Sequence, residues 1–406
     1  MRRLLAFLLL ATACSSGGPP ATRPGPSDPP VIILVSIDGF RPDYLGRGVT
    51  PTLDSLARVG VRAEWMEPSF PSKTFPNHYT IVTGLRPDHH GIIANNIRDS
   101  VLGSFSMSNR AAVQEARWWG GEPVWVALEK AGRPASAMFW PGSEAAIGGV
   151  HATHWLPFDG RMPEADRVDS LLAWLDVPAA RRPGLLTLYT AAVDNAGHAF
   201  GPGSPRLADS LALADAMVTR LVAGLRAHRL ADRVNLLVVS DHGMAPVGPD
   251  RVIALDDYIS LDDVTVNDWG PAVMLAPAPG RAAAVYAALR GAHPALDVYW
   301  KQDVPGRLEF GTHPRVPAIV AIAREGWTVT SRARIDRVTP GGNHGFDNAL
   351  PSMRALFLAS GPAFRRGVVL PAFPNVDVYP LMMHILGLEP APNDGSLEPL
   401  RAALRP

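Results

Sequence analysis

Short apolar runs alternate along this chain with longer segments in which apolar residues recur every three or four positions. Uninterrupted apolar runs bounded by turn residues are typical of strands that are buried on both faces of a parallel sheet. Their alternation with helical patterns predicts an α/β fold built on one mostly parallel sheet. The predicted strands are Val31–Ile37, Ala135–Met138, Leu185–Tyr189, Val234–Val239 and Ala355–Ala359.

The segments between these runs predict helices that cover the sheet. One span differs, because from about residue 250 to 339 the apolar runs Ala272–Leu275 and Ala318–Ile322 flank a helical pattern at Arg281–Arg290. This span predicts a smaller α+β insertion that caps the sheet before the chain returns to it. The predicted helices of the main body are Thr50–Arg58, Phe75–Thr83, Val124–Ala131, Arg167–Leu175, Arg206–His228 and Val376–Ile385.

Aspartates and histidines follow three of the predicted strands and occur in a glycine-rich loop near the end of the chain. Ligands gather at the carboxyl ends of parallel strands, so these side chains are expected to meet. An aspartate after a strand also serves as a helix cap, but repetition of carboxylate with imidazole favours a metal site. Three carboxylates and three imidazoles suit two ions of the zinc type. The six residues are Asp38, Asp194, His198, Asp241, His242 and His344.

Thr74 is the candidate nucleophile. It precedes Phe75 and Pro76 at the start of a predicted helix that ends at Gly84, and it is expected at the N-cap. Backbone N–H groups and the positive end of the helix dipole suit phosphate oxygens there, and a nearby zinc ion would activate the hydroxyl. The alternative is a threonine that only caps the helix.

Five motifs in this order resemble the nucleotide pyrophosphatase/phosphodiesterase family of the alkaline phosphatase superfamily, in particular its single-domain bacterial members. The resemblance extends from about Val31 to Leu386. It implies an alkaline-phosphatase-like three-layer sandwich, with residues 31–406 as one catalytic domain that carries the insertion at about 250–339. The motifs are Ile37–Arg41, Pro71–His78, Gly84–Ile92, Asp194–Pro202 and Ser240–Met244.

The resemblance also implies roles for individual residues. Asp194, His198 and His344 would hold one zinc ion, and Asp38, Asp241, His242 and the Thr74 oxygen would hold the other. Asn95 would bind a phosphoryl oxygen together with the Thr74 backbone amide, although Asn96 stands beside it in the sequence. Phe75 and Tyr189 match an aromatic pair that sandwiches the nucleobase, with Phe158 and Trp140 as further lining.

The function implied is hydrolysis of nucleotide phosphodiesters and pyrophosphates to nucleoside 5′-monophosphates through a phosphothreonine, with two Zn²⁺ per chain. Two alternatives remain open. One is another enzyme of the superfamily, a phosphomonoesterase or a phospholipid-headgroup phosphodiesterase. The other is a zinc- or nucleotide-binding envelope lipoprotein without turnover.

The N-terminal segment predicts export. Two arginines precede the apolar stretch Leu4–Leu10, and small residues lead to Cys14, which is typical of a signal peptide over residues 1–14. Cys14 and the residues after it resemble a bacterial lipoprotein box, although Ala11 stands where leucine is usual. Residues 15–30 are rich in Pro, Gly and Ser and predict a flexible tether. We therefore expect a periplasmic protein attached to the outer membrane through lipid at Cys14, with a plain secretory signal as the alternative.

Composition narrows the choice of partner. The 406 residues include 38 basic and 38 acidic side chains, so the formal net charge is zero. The chain has no excess of basic residues that would favour binding of long nucleic acid, so small nucleotides are the expected substrates. The chain has one cysteine, so no internal disulfide can form. The sequence does not indicate an oligomeric state.

Overall fold

The structure is a computed structural model that describes residues 29–406. The predicted signal peptide, Cys14 and most of the predicted tether lie outside the described residues. The strands are β1 (Val31–Ile37), β2 (Val61–Ala63), β3 (Met66–Glu67), β4 (Asn96–Asp99), β5 (Gly103–Ser106), β6 (Ala135–Met138), β7 (His154–Leu156), β8 (Leu185–Thr190), β9 (Val234–Val239), β10 (Ala245–Val247), β11 (Val252–Ala254), β12 (Val264–Asp268), β13 (Ala272–Pro277), β14 (Leu296–Trp300), β15 (Ile319–Ala323), β16 (Thr328–Thr330), β17 (Gly341–Asn343), β18 (Phe357–Ser360), β19 (Val368–Leu370) and β20 (Phe373–Pro374). The α-helices are α1 (Pro51–Val59), α2 (Thr74–Thr83), α3 (Pro87–His90), α4 (Arg110–Gln114), α5 (Val124–Lys130), α6 (Glu164–Leu175), α7 (Ala192–Phe200), α8 (Leu207–Ala227), α9 (Ala282–Leu289) and α10 (Val378–Leu386).

An eight-stranded sheet forms the centre, with the order β19-β2-β18-β9-β1-β8-β6-β7. Its middle strands β9, β1, β8 and β6 run parallel, and β18 is antiparallel to both of its neighbours. The predicted α/β fold with a mostly parallel sheet is therefore confirmed. The carboxyl ends of β9, β1 and β8 lie side by side at one edge of the sheet.

The two faces of the sheet carry separate cores. In β1, Ile32 and Leu34 belong to one core, and Val31, Ile33 and Val35 belong to the other. The first core is covered by α2, α5 and α10, and the second by α1, α6 and α8. Every residue of β1 is buried, and each fully buried aliphatic side chain contributes about 1.5–3 kcal/mol. Helices on both faces explain the continuous apolar runs, because neither face of these strands meets water.

Residues between β10 and β17 form a second layer of structure. The strands β12, β13, β15 and β14 make an antiparallel sheet, which packs with α9 around an apolar core of its own. A pair of short strands, β11 and β16, lies alongside. This part of the chain corresponds to the span in which the sequence predicts a smaller α+β insertion.

The helix boundaries differ from the sequence predictions by at most three residues. Lys73 takes the N-cap position of α2 and Thr74 is the first helical residue, so Thr74 lies one position later than predicted. Gly84 ends this helix with a φ of 66°, a left-handed conformation that glycine adopts without steric cost. Among the described residues, no helix has the length and apolar character needed to cross a membrane.

Candidate active site

Three adjacent strands deliver the acidic residues of the site. Asp38 follows β1, Asp194 lies in the first turn of α7 after β8, and Asp241 with His242 follows β9. The strands are neighbours in the sheet, so their end residues converge although they are up to about 200 positions apart in sequence. His198 stands one helical turn after Asp194 on α7 and points to the same place.

Pairing of two short strands, β10 and β17, places the last histidine, His344, at the site. The strand β10 begins three residues after His242 and pairs antiparallel with β17, which ends directly before His344. Glycines make this approach possible, because a Cβ on Gly341 would lie 2.1 Å from the carbonyl oxygen of His198 and one on Gly342 would lie 2.6 Å from that of Gly197. Two glycines therefore allow β17 to lie against α7 and complete the site.

The first candidate metal group consists of Asp194, His198 and His344. The Nε2 atom of His198 is 3.5 Å from Asp194 Oδ2, and the Nε2 atom of His344 is 3.7 Å from Asp194 Oδ1. One carboxylate thus stands between two imidazoles at distances that leave room for a bridging cation. These are the residues that the family resemblance implies for one zinc ion.

The second group surrounds His242. Its Nε2 atom lies 3.0 Å from Asp241 Oδ2, 3.5 Å from Asp38 Oδ1 and 3.4 Å from Thr74 Oγ1. All four side chains are buried. The structure therefore brings Thr74 together with the three residues that the resemblance implies for the other ion.

Backbone carbonyls fix the orientation of all three histidines. The Nδ1–H group of His198 donates to Gly342 O, that of His344 to Ser72 O and that of His242 to Gly243 O, each at 2.9 Å. A carbonyl only accepts, so each Nδ1 carries a proton, and in a neutral imidazole the lone pair of Nε2 then faces the carboxylates. Metal-binding histidines are generally held in this way through their second nitrogen.

Three buried carboxylate oxygens have no hydrogen-bond donor among the described residues: Asp38 Oδ1, Asp194 Oδ1 and Asp241 Oδ2. Such oxygens are costly to bury unless a cation or a donor compensates them. The neutral Nε2 atoms beside them also offer lone pairs. Oxygen and nitrogen donors that converge without protons between them fit metal ions, so the residues present suit the expected cofactor.

The electrostatics lead to the same conclusion. Burial raises the pKa of Asp38 well above its ordinary value, and the carboxylates of Asp241 and Asp194 raise it further. Burial also raises the pKa of Asp194. Burial has the same effect on Asp241, but the positive charges that His242 and His78 carry when they are protonated outweigh it and hold its pKa well below the usual range. Without a cation, the site cannot hold three ionised carboxylates together at low cost.

His78 is a residue of the site that the sequence analysis missed. Its Nδ1–H group donates to Thr74 O at 2.9 Å, its Nε2 atom accepts from Ser36 Oγ at 2.8 Å, and Nδ1 lies 3.3 Å from Asp241 Oδ2. Both ring nitrogens are engaged by the protein, so His78 supports Thr74 and Asp241 and has no lone pair to offer a metal. Its spacing of four residues from Thr74 on one helix was a usable signal.

The start of α2 presents donors beside Thr74. No described residue accepts a hydrogen bond from the Thr74 N–H group, and Lys73 provides no side-chain cap. Asn95 Oδ1 accepts from Phe75 N at 3.0 Å, which leaves the amide NH₂ of Asn95 as its donor. Asn96 instead donates to Asp268 at 2.9 Å. The two neighbouring asparagines therefore have different partners, and Asn95 contacts the first turn of α2 at Phe75, the residue after Thr74.

A pocket of about 340 Å³ opens from this site. Phe75, Phe158, Tyr189 and Trp140 all line it. Tyr189 is 7% exposed and its hydroxyl donates to Asp38 Oδ2 at 2.7 Å, whereas Phe158 is 40% exposed. Trp140 is fully buried and donates from Nε1 to His78 O at 3.0 Å. Phe75 and Phe158 thus present ring surface to the pocket, and Tyr189 forms part of its floor.

An ion pair that the sequence did not reveal closes one side of the pocket. Arg110 on α4 pairs with Glu144, whose carboxylate also accepts from Phe158 N at 3.0 Å and from Gln114 Nε2 at 3.2 Å. Among the described residues that line the pocket, Arg110 is the one cationic side chain. Because Glu144 neutralises it, the pocket has no free positive charge.

The sequence matches the family model of type I phosphodiesterase / nucleotide pyrophosphatase over residues 32–347. It is 36% identical over 394 residues to human ectonucleotide pyrophosphatase/phosphodiesterase family member 5, covering 97% of this chain and 81% of the relative. It is 39% identical to an uncharacterised pyrophosphatase/phosphodiesterase of Schizosaccharomyces pombe, covering 91% and 80%. A venom phosphodiesterase of Crotalus durissus collilineatus is 36% identical, and the chain spans 48% of its length.

Solved structures agree with the sequence comparisons. The fold matches human ectonucleotide pyrophosphatase/phosphodiesterase 5 with a TM-score of 0.89 at 36% identity, over 93% of this chain and all of that chain. It matches an inactive threonine-to-alanine variant of the murine protein in complex with AMP with a TM-score of 0.88, also at 36% identity and with the same coverage.

Proposed function

The chain belongs to the type I phosphodiesterase / nucleotide pyrophosphatase family, so it is a hydrolase of nucleotide phosphodiester and pyrophosphate bonds, and we propose that Thr74 and two zinc ions carry out this hydrolysis. Asp194, His198 and His344 would hold one ion. Asp38, Asp241, His242 and Thr74 Oγ1 would hold the other. The observation that carries the proposal is the convergence of unpartnered carboxylate oxygens with the Nε2 atoms of three histidines, whose Nδ1 atoms donate to backbone carbonyls, close to the Thr74 hydroxyl.

The bound ions would supply positive charge that neutralises the phosphodiester and lowers the pKa of the threonine hydroxyl. Thr74 Oγ1 attacks phosphorus, the bond to the leaving oxygen breaks, and a phosphothreonine forms. The Thr74 N–H group and the amide of Asn95 donate to a phosphoryl oxygen, since both are free for this purpose. Water then cleaves the phosphothreonine, which restores Thr74 and releases the nucleoside 5′-monophosphate. The murine relative that was solved with AMP is inactive as a threonine-to-alanine variant, which supports the assignment of Thr74.

Small nucleotides are the proposed substrates, with the base stacked between Phe75 and Phe158. Both rings line the pocket next to Thr74, and stacking on aromatic rings tolerates any base. Tyr189 is proposed to act through Asp38, because its hydroxyl donates to that carboxylate. The AMP in the murine relative supports a nucleotide pocket of this kind.

A preference for diesters over monoesters is supported by the charge around the site. A phosphate monoester carries one more negative charge than a diester, and cationic side chains would have to compensate it. Lys73 turns away from the pocket to Asp268, and Arg110 is paired with Glu144. The described residues therefore leave no cationic side chain free beside Thr74.

The test is the ratio of kcat/KM for p-nitrophenyl thymidine 5′-monophosphate to that for p-nitrophenyl phosphate, measured on the purified, zinc-loaded protein. We expect the diester to be preferred by at least about 100-fold. A monoester preference would assign the phosphomonoesterase alternative. No turnover of either compound, with AMP still bound, would assign the non-catalytic binding protein.

Thr74→Ala is the matched variant for this assay. We expect it to keep its bound zinc and to lose at least about 1000-fold in rate, the scale that follows loss of a covalent nucleophile. Near-normal turnover would exclude the phosphothreonine.

We further propose that the protein is exported to the periplasm and attached to the outer membrane through lipid at Cys14. The leader pattern and the lipobox-like residues support this location, as does the ecto-enzyme name of the human relative. Metabolic labelling with a radioactive fatty acid should mark the wild type but leave Cys14→Ser unlabelled. An unlabelled wild type in the soluble periplasmic fraction would indicate a plain secretory signal.

A further inference from the structure

A buried ion pair connects the start of α2 to the insertion. Lys73 Nζ lies 2.7 Å from Asp268 Oδ2, at the end of β12, and the two side chains are 5% and 8% exposed. Nζ also faces the carbonyl oxygens of Trp269 at 3.5 Å and Ala272 at 3.4 Å. Every partner of this ammonium group belongs to the insertion, although Lys73 directly precedes Thr74 in the sequence.

The other oxygen of Asp268 contacts the segment that contains Asn95 and Asn96. Asp268 Oδ1 accepts from Asn96 Nδ2 at 2.9 Å. The neighbouring Asn95 accepts from Phe75 N at 3.0 Å, in the first turn of α2. One carboxylate therefore holds two segments, the residue before Thr74 and the residue after Asn95.

The aliphatic part of the Lys73 side chain lies against a third segment, the loop that contains His344. A Cβ on Gly345 would lie 2.9 Å from Lys73 Cε, so the glycine leaves room for the lysine chain beside His344. Ser72, the residue before Lys73, accepts the Nδ1–H of His344. The ion pair thus lies where the start of α2, the Asn95–Asn96 segment and the loop of His344 meet.

We propose that Asp268 is a positioning residue that holds Thr74 and Asn95 in register through Lys73 and Asn96. This inference rests on the proposed roles of Thr74 and Asn95. The insertion then does more than cover the site, because its β12 strand helps to set the geometry of attack. A buried ion pair often stabilises a fold no more than a well-packed apolar pair of similar volume would. The pair contacts the segments on two sides of the site, so we infer that its main role is to position these segments.

The expected effect follows from the sensitivity of attack geometry. A misplacement of about 1 Å can cost about 100-fold in rate. Asp268→Asn keeps the size of the side chain but loses the charge that holds Lys73. We expect kcat to fall about 10- to 100-fold, with KM for the nucleotide diester changed less than about threefold and zinc content unchanged.

Asp88→Asn is the matched control. Asp88 is also a buried carboxylate that joins the main body to the insertion, because it accepts from Gly311 N, Thr312 N and His313 N at 2.7–3.0 Å. It lies on α3 and makes none of the contacts at the start of α2. We expect Asp88→Asn to lower the melting temperature while keeping kcat within about threefold of wild type.

A double variant separates geometry from stability. Lys73→Met combined with Asp268→Leu removes both charges and leaves none unpaired, so it should recover the melting temperature lost in either single variant. Under the proposal, kcat stays low in this double variant. Recovery of wild-type kcat together with stability would overturn the positioning role, as would an equal kcat loss in Asp88→Asn.

Hydrogen exchange tests the same idea without a substrate. In the zinc-loaded protein, peptides that cover residues 73–80 and 92–98 should exchange faster in Asp268→Asn than in wild type or Asp88→Asn. Unchanged exchange in both segments would overturn the inference even if activity fell. If the wild type hydrolyses neither test ester, the proposed function fails, and the exchange result still decides whether Asp268 holds these segments.

Discussion

Tyr189 and Phe158 line the same pocket but have different surroundings. The Tyr189 ring is almost wholly buried, and its hydroxyl donates a hydrogen bond to Asp38, a proposed metal ligand. Phe158 makes edge contacts with Phe139 and Tyr189 and keeps 40% of its surface exposed. Base stacking requires an accessible ring face, so Phe158 suits that role better than Tyr189.

Substitutions of Phe158 and Tyr189 should therefore have different effects on KM and kcat. Phe158→Ala is expected to raise KM for p-nitrophenyl thymidine monophosphate about 10-fold, since stacking on one ring is worth about 1–3 kcal/mol. It should leave turnover of bis(p-nitrophenyl) phosphate, which lacks a base, nearly unchanged. Tyr189→Phe should lower kcat on both esters, because it removes the donor that orients Asp38. A nucleotide-selective defect in Tyr189→Phe would reverse this assignment.

The site residues that could be predicted from the sequence are those that occur in a recognisable local motif. The six candidate ligands and Thr74 each occur in a short motif, and the structure brings all of them together. Glu144 and Asp268 carry no such pattern. Their ion-pair partners, Arg110 and Lys73, lie 34 and 195 positions away in sequence, so only the folded chain reveals these pairs. The difference between Asn95 and Asn96 also depends on which backbone N–H group faces each side chain.

At the scale of elements, the strands were predictable because burial on both faces imposes continuous apolar runs. The predicted β1, β6 and β9 match the structure residue for residue. Helix starts were less predictable, because tertiary contacts supply the caps. At α1, the residue that satisfies the first turn is Asp215 on α8, which accepts from Thr52 N at 3.2 Å and Leu53 N at 2.8 Å.

Asp215→Ala should therefore destabilise the protein without affecting the site. It leaves two N–H groups of α1 without an acceptor and removes a negative charge from the positive end of that helix, which together cost about 2–3 kcal/mol. Chemical denaturation would measure the loss, and kcat should remain within about twofold of wild type. The exposed Asp209, in the first turn of α8, offers the control, since Asp209→Ala removes only an interaction with the helix dipole and should cost less than about 1 kcal/mol. Equal losses in the two variants would contradict the capping role.

Asp377, at the start of α10, predicts a pH-dependent effect. Burial raises its pKa to about 6, and its carboxylate accepts from Ser396 N at 2.7 Å. The folded protein holds this proton more tightly than the unfolded chain does. The stabilising contribution is therefore full below about pH 4 and is lost as the pH rises through about 6.

Asp377→Asn removes this titration and retains an oxygen for Ser396. We expect the variant to be more stable than wild type by about 1–2 kcal/mol at pH 7.5, after allowance for solvent screening. The difference should shrink towards zero at about pH 4. Urea unfolding at the two pH values measures it, with the exposed Asp232→Asn as control. A difference that does not change with pH would show that the carboxyl is not the source.

At the scale of the whole molecule, residues that lie about 300 positions apart in sequence meet at one edge of the sheet. Asp38 follows the first strand, and His344 arrives only after the insertion, when β17 pairs with β10. Parallel topology made the convergence of Asp38, Asp194 and Asp241 predictable. The contact of the insertion with α2 through Lys73 and Asp268 was not predictable, because no local pattern in the sequence indicates how the insertion packs on the main body.

This convergence predicts that metal and fold are coupled. The site assembles carboxylates and imidazoles from α7 and from the residues that follow β1, β9 and β17, and these groups meet only in the folded state. Ligands that bind only the folded protein stabilise it, by about 4 kcal/mol at a concentration 1000-fold above Kd. Removal of metal with a chelator at pH 8 should therefore abolish turnover and lower the melting temperature by several degrees.

Addition of excess zinc should restore both the turnover and the melting temperature. His198→Ala provides the comparison: it removes a ligand of one group, and we expect it to weaken zinc binding and to reduce the stabilisation that zinc gives. Thr74→Ala should retain most of that stabilisation, because the carboxylates and imidazoles remain. Calorimetry with and without chelator measures each difference. A melting temperature that does not respond to metal would mean that the buried Asp38, Asp194 and Asp241 are compensated by protons in the folded protein, and the two-ion assignment would then have to be abandoned.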